Sequence, residues 1–378
     1  MAHGHRYFRN DPSQVVEVDA HEELLAALNA IITKCPPDQT PRRGWHCVGL
    51  YAGPTSAAYL FYRLSQIYPS LQLEGKSLHA WCLAYLEISP SVKSPPSKVD
   101  SSHCGIAQET LVHAAVTAVA RKDESYAVKV CEAVHGLLDE DGSKEWLFGL
   151  AGYLYLLRLL RTELPKESEL QELISKTIEQ VADYVLRSQP PWKWHGSQFL
   201  GAAHGTIGII TQVALSVPSR AHELQPMLDD LLDLQFDSGN FPSSLPVGTD
   251  RLVQFCHGAP GFIISLQNIA AHYPASKAKI ELAIDKGVEC IWERGLLTKE
   301  PSLCHGISGN ALVFEDLDRL RRFISFSAQE QLERRWGVPS GADPESMCSL
   351  FTGGAGRAWS WAVVDKDLPR TCIGYNDI

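Results

Sequence analysis

Seven short glycine turns recur along this chain at a period near 50 residues, and that recurrence limits the fold more than any other feature. They are "LYAGPTSAAYL", "HCGIAQETL", "LFGLAGYLYLL", "AHGTIGII", "CHGAPGFII", "CHGISGNAL" and "FTGGAGRAW". Their first glycines are Gly53, Gly105, Gly149, Gly205, Gly258, Gly306 and Gly353, in steps of 52, 44, 56, 53, 48 and 47 residues. A period of this length marks copies of one supersecondary unit that must stack to bury its apolar face. Five copies carry a second glycine three residues on, at Gly152, Gly208, Gly261, Gly309 and Gly356. The first two have Ser56 and Gln108 there, so the second repeat is expected to be irregular.

Each step holds two helical segments. After "GLAG" comes "YLYLLRLLRTEL", apolar nearly all round, as a helix packed on every side must be. A polar break then leads to "LQELISKTIEQVADYVLRS", whose apolar residues fall on one face. The unit is therefore helix, turn, helix, with the first helix inner and the second outer, and the glycines sit where the inner helix starts and backbones approach closely. Few runs alternate Val, Ile and Thr between hairpin turns, so the expected class is all-α, a double ring of helices. An open solenoid is the competing architecture. Two connectors break the pattern, at residues 89–102 and 237–250; the second leads directly into "FCHG" and is expected to wall a cleft.

The chain of 378 residues is 45% hydrophobic and can bury a large core. With 34 basic against 44 acidic residues and no Lys/Arg-rich block, it offers no electrostatic footprint for nucleic acid. No apolar stretch approaches a bilayer span and "MAHGHRYFRNDPS" lacks an apolar signal core, so a cytoplasmic location is expected. The ten cysteines are too scattered for a disulfide framework and read as buried thiols plus a metal site.

Two of the turns repeat Cys-His-Gly-x-x-Gly in adjacent copies. If the ring closes, Cys256 comes beside Cys304 and His305, a Cys2His set of the thiolate and imidazole donors that zinc prefers. Three protein ligands leave a fourth position for water or substrate, whereas a structural site would be closed. The alternative is that both cysteines are only small buried residues of the turn. His204, one repeat earlier, and His257 stand on the same ring of turns; either can move protons near neutrality, or merely satisfy a backbone group. His113, His135 and His272 fit no such arrangement.

The seven repeats together with "GAAHGTIGI", "SGNFP…FCHGAPGF" and "LCHGISGNA" resemble the lanthionine synthetase C-like proteins, from about residue 1 to about residue 365. The resemblance implies an α/α toroid, taken as one domain over residues 1–378, with one zinc held by Cys256, Cys304 and His305. It further implies addition of a thiol to dehydroalanine or dehydrobutyrine, with glutathione as co-substrate in the eukaryotic members and dehydrated proteins or peptides as acceptors. His204 is then the candidate proton donor, with His257 its helper. Lys299 and Arg6 match basic positions expected to meet the carboxylates of glutathione. Bacterial relatives have aspartate where this chain has Glu145, which puts a direct role for that residue in doubt. A second reading keeps zinc and glutathione but makes the protein a non-catalytic scaffold regulating a signalling partner. Prenyltransferase β-subunits also join an α/α barrel to zinc, but the duplicated Cys-His-Gly argues against them.

Overall fold

The computed structural model describes residues 6–11, 17–38, 47–88, 98–166, 169–188, 190–336 and 347–378. Its helices are α1 (Ala20–Lys34), α2 (Pro54–Ile67), α3 (Leu78–Leu86), α4 (Glu109–Arg121), α5 (Glu124–Glu132), α6 (Leu150–Glu163) and α7 (Glu169–Arg187). They continue as α8 (Thr206–Ser216), α9 (Gln225–Leu232), α10 (Ala259–Ile269), α11 (Lys277–Arg294), α12 (Ile307–Ala311), α13 (Leu317–Ser325), α14 (Gln329–Trp336) and α15 (Gly354–Asp365). Among the described residues, strands are confined to two antiparallel pairs, β1 (Gln72–Leu73) with β2 (Lys76–Ser77), and β3 (Gln198–Phe199) with β4 (Ser244–Leu245). The all-α class and the double ring are as the repeats require.

The inner ring is α2, α4, α6, α8, α10, α12 and α15. In α6 every residue from Leu150 to Leu160 is buried, whereas the outer α7 buries a single stripe through Leu170, Ile174, Ile178, Val181 and Val185. Six outer partners follow their inner helices along the chain: α3, α5, α7, α9, α11 and α13. The seventh does not. The last inner helix, α15, is covered by α1 from the other end of the sequence, and α15 also packs on α2. The ring is therefore closed, which disposes of the open solenoid.

Backbone bonds between turns show the same closure. Leu50 N–H donates to Ile106 O, Cys104 to Phe148 O, Leu147 to Ala203 O, Cys256 to Cys304 O, Cys304 to Phe351 O and Phe351 to Tyr51 O, at 2.8–3.3 Å. Between the fourth and fifth turns the contact is steric, since a Cβ on Gly201 would lie 2.3 Å from Cys256 O. Each of the five second glycines presses on the carbonyl six residues before it; a Cβ there would sit 1.9–2.2 Å from that oxygen. No side chain fits at that distance, so these glycines are steric requirements of the turn.

Six inner helices start immediately after the first glycine of their turn. The exception is α4, which starts four residues after Gly105, where Gln108 accepts the Leu111 N–H at 3.0 Å as a side-chain cap. The expected irregularity of the second repeat is thus a delayed helix start, not a gap in the ring. Residues 89–97 of the first irregular connector lie outside the described residues.

Residues 372–378 fill the centre of the ring. Tyr375 is fully buried, edge-on to Trp146 and Phe255, with its hydroxyl 2.6 Å from Ser265 Oγ. Asp377 accepts from Tyr59 and Tyr155 and pairs with Arg63 at 3.1 Å.

Candidate metal centre

The fifth and sixth turns are held together by the Cys256–Cys304 backbone bond, and their side chains meet on the same end of the ring. One ligand atom from each of Cys256, Cys304 and His305 lies within 4.8 Å of the other two. Bonds of about 2.0–2.3 Å from a tetrahedral zinc require ligand separations of about 3.7 Å, so small side-chain rotations suffice. Among the described residues this is the one such His, Cys and carboxylate cluster. Both cysteines are buried, while His305 is half-buried.

The two thiols are electrostatically unequal. Cys256 is held well below the ordinary thiol range, first by its hydrogen bond with Cys304 and then, against burial, by His305, the charge of His257 and Gln254. Cys304 is pushed well up by the same bond and by burial. Of the two, Cys256 is therefore the thiol more easily deprotonated. Gln254 Nε2 donates to Cys256 Sγ at 3.1 Å, and Tyr51 OH donates to Cys304 Sγ at 3.6 Å. Burial, above all, pushes the Tyr51 phenol up, so it stays protonated and remains a donor. A Cys2His donor set suits a soft or borderline divalent cation such as zinc.

His204 stands at the end of the fourth turn, 14% exposed at its side chain. Its Nδ1 lies 3.1 Å from Glu145 Oε2, which leaves Nε2 free to exchange a proton. Glu145 is itself fixed, accepting the Leu147 and Phe148 N–H groups at 2.7 and 2.6 Å. Glu145 therefore holds the His204 ring by its Nδ1. Trp194 lies flat on the His204 ring, with centroids 3.9 Å apart and planes 7° apart. His257 is 6.2 Å from His204 between centroids; burial pulls its pKa down, and its buried Nδ1 has no hydrogen-bond partner.

Phe199 of β3 packs near both histidines, at 6.0 and 5.6 Å, and β3 pairs with β4 inside the connector 237–250, so that connector does form a cleft wall. Asp250 anchors it: its carboxylate takes two bonds from Arg294 and one each from Asn240 and Ser238, while Asn240 Oδ1 accepts the Ala259 N–H at the start of α10. Lys299 lies on the metal side, donating to Gln254 Oε1 at 3.3 Å. Residues 6–8 run antiparallel to 296–298, with Arg6 O accepting from Thr298 N–H and Phe8 N–H donating to Leu296 O, so Arg6 is tethered beside the segment that carries Lys299. His113 bonds the Leu86 carbonyl, away from this centre.

The sequence profile of lanthionine synthetase C-like proteins matches residues 44–362. The chain belongs to the lanthionine synthetase C-like family. Among its relatives, "Glutathione S-transferase LANCL1" of Danio rerio is 31% identical over 238 residues, 57% of this chain and 57% of that protein. "LanC-like protein GCL1" of Arabidopsis thaliana is 30% identical over 255 residues, 62% of this chain and 58% of its own length. The chain thus spans under three-fifths of the length of these curated relatives. Nisin cyclase shares the fold, with a TM-score of 0.63 at 15% identity, over 91% of this chain and 95% of its own. No helix among the described residues is long and apolar enough to cross a membrane.

Tyr51, Gln254, Trp194 and Phe199 were not found from the sequence. Tyr51 lies inside the first turn and Gln254 two residues before Cys256, so their positions in the repeat were a usable signal. Trp194 and Phe199 lie in a connector with no periodicity, and nothing local marks them.

Proposed function

We propose that this protein adds the thiol of glutathione to dehydroalanine or dehydrobutyrine residues in proteins or peptides, with zinc bound by Cys256, Cys304 and His305. The observation that carries the reading is the pairing of a Cys2His cluster with the Glu145-oriented His204 on neighbouring turns of one ring. A bound zinc would supply the positive charge that keeps an incoming thiol deprotonated near neutral pH. Lys299 and the tethered Arg6 would orient the carboxylates of glutathione. The sulfur then forms its bond to the β-carbon, and the π pair moves towards the carbonyl as an enolate. His204 Nε2–H gives its proton to the α-carbon and recovers one from solvent; the thiol proton leaves through His257 or water. Trp194 and Phe199 keep bulk water from the imidazole.

The test is mass-spectrometric detection of a glutathione adduct on a dehydroalanine peptide. His204→Asn is expected to retain zinc and glutathione affinity and to slow addition roughly a hundredfold, the usual scale for a lost general acid. Near-parent turnover with normal zinc would remove His204 from the reaction. A scaffold that only regulates a partner would give no adduct at all.

A further inference from the structure

Cys256 and Cys304 are one pair of thiols in hydrogen-bond contact, and the fold builds a second pair at the seam where the two ends of the chain meet. Cys35 ends α1, and its thiol is hydrogen-bonded to that of Cys348, in the segment leading into the seventh turn. Both are buried. Their backbones are fixed by bonds that do not involve the thiols: Tyr85 OH donates to Cys35 O at 2.8 Å, Cys35 N–H donates to Ile31 O at 2.9 Å, and Ser56 Oγ donates to Cys348 O at 2.7 Å. Two sulfurs held in contact on fixed backbones need only small side-chain rotations to reach a disulfide bond length of about 2 Å.

A third thiol stands at the same seam. Cys47 immediately precedes Val48, which bridges to Ala52 across the first turn, and it is half-buried where the other two are closed off from solvent. The hydrogen bond with Cys35, then burial, and then the charges of Cys35 and Cys47 push the Cys348 thiol well above its ordinary range. The thiolate is the nucleophile in disulfide exchange, so a buried thiol held protonated starts such a reaction slowly, whereas a half-buried neighbour can meet a reagent from solvent.

We infer that Cys35 and Cys348 form a reversible disulfide by exchange with a small disulfide such as oxidised glutathione, and that Cys47 is the thiol through which the exchange enters. The Cys47 thiolate attacks one sulfur of the reagent, breaking its S–S bond, forming a mixed disulfide and releasing one small thiolate. Cys348 then attacks the Cys47 sulfur and expels the second small thiolate. Cys35 attacks the Cys348 sulfur and returns Cys47 as thiolate. The protein is oxidised by two electrons, one small disulfide is reduced to two small thiols, and the protons of Cys35 and Cys348 end on them. The new bond ties the end of α1 to the approach of the seventh turn, adding a covalent link to a joint otherwise closed by packing. Neither the metal ligands nor an unsaturated acceptor takes part, so the inference stands apart from the transferase reading.

The test holds the full chain at rising ratios of oxidised to reduced glutathione, quenches in acid, alkylates after denaturation and maps the digest by mass spectrometry. A peptide linking Cys35 to Cys348 is expected to accumulate while Cys47 ends alkylated. The melting temperature is expected to rise by about 5 °C, as for a cross-link closing a long loop, and to return on reduction. Cys47→Ser is expected to slow the link at least tenfold without changing its final extent. Cys348→Ser should stop at a glutathione adduct on Cys47, with no rise in melting temperature. Full alkylation of Cys35 and Cys348 at the most oxidising ratio, or an end product linking Cys348 to Cys47, would overturn the pair. Formation of the link at the parent rate in Cys47→Ser would overturn the entry route, and an unchanged melting temperature with the link complete would overturn the sealing of the seam.

Discussion

Cys256 and Cys304 carry the same side chain and are both buried, yet one is drawn towards thiolate and the other pushed towards thiol because each is hydrogen-bonded to the other. Removing Cys304 from the cluster would leave two donors, too few for tight binding of a metal. Elemental analysis of Cys304→Ala is therefore expected to fall from one zinc per chain to nearly none, while Cys290→Ala, a buried thiol on α11, keeps its metal. Stoichiometric zinc in the first variant would remove Cys304 from the ligand set. At the same scale Glu145 spends its acceptor capacity on Ser143, Leu147, Phe148 and His204, so its carboxylate is held in place by four neighbours.

At the scale of elements, the connector between α9 and α10 matters more than its composition implies. Four side-chain bonds converge on Asp250 and tie this segment to α11 and, through Asn240, to the first turn of α10 that follows His257. Burial alone would push the Asp250 carboxyl up, but Arg294, Asn240 and Ser238 together draw it below the usual 3.8. A depressed folded pKa means the unfolded chain binds the proton more readily, so this stabilisation is full above pH 3.8 and disappears as pH falls through the folded value. Asp250→Asn is thus expected to lose about 1–2 kcal/mol near pH 7, a range reduced for the partial exposure of the pair. The gap from the parent in thermal melts should close below pH 3.8. A gap that persists unchanged in acid would show that the carboxylate charge is not what holds the connector.

The whole molecule is a ring whose last hairpin is made from both ends of the chain, α15 from one and α1 from the other. A ring of turns linked by backbone bonds must close on itself, and here the closing joint is non-local. Leu24, Leu28 and Ile31 of α1 are fully buried at it. Leu28→Ala is expected to cost about 2–5 kcal/mol, the range for emptying a core leucine site. Hydrogen exchange should show the effect reaching the site: the Phe351 and Cys304 amides, which bond to the neighbouring turns, are expected to lose protection along with α1. Loss confined to α1 would mean that the ring stays closed without its seventh outer helix.

Repeat period, helix type, inner and outer assignment, and the Cys256, Cys304 and His305 grouping were all legible in the sequence, because each follows from spacing and side-chain chemistry that recur within one repeat. Gly152 and its counterparts announced a close backbone approach before any carbonyl was located, since only glycine tolerates one. What recurs nowhere in the chain could not be read in this way. That α1 covers α15 and that residues 372–378 fill the ring are single events joining segments far apart in sequence, and that Trp194 lies on His204, ten residues on, is a single event of an irregular connector. They are set by which apolar surfaces remain uncovered once the repeats have closed. The sequence determined the parts of the ring and the donors it would bring together; only the tertiary structure decided how the ring is sealed and which side chain covers His204, because burial at a seam depends on every element that meets there.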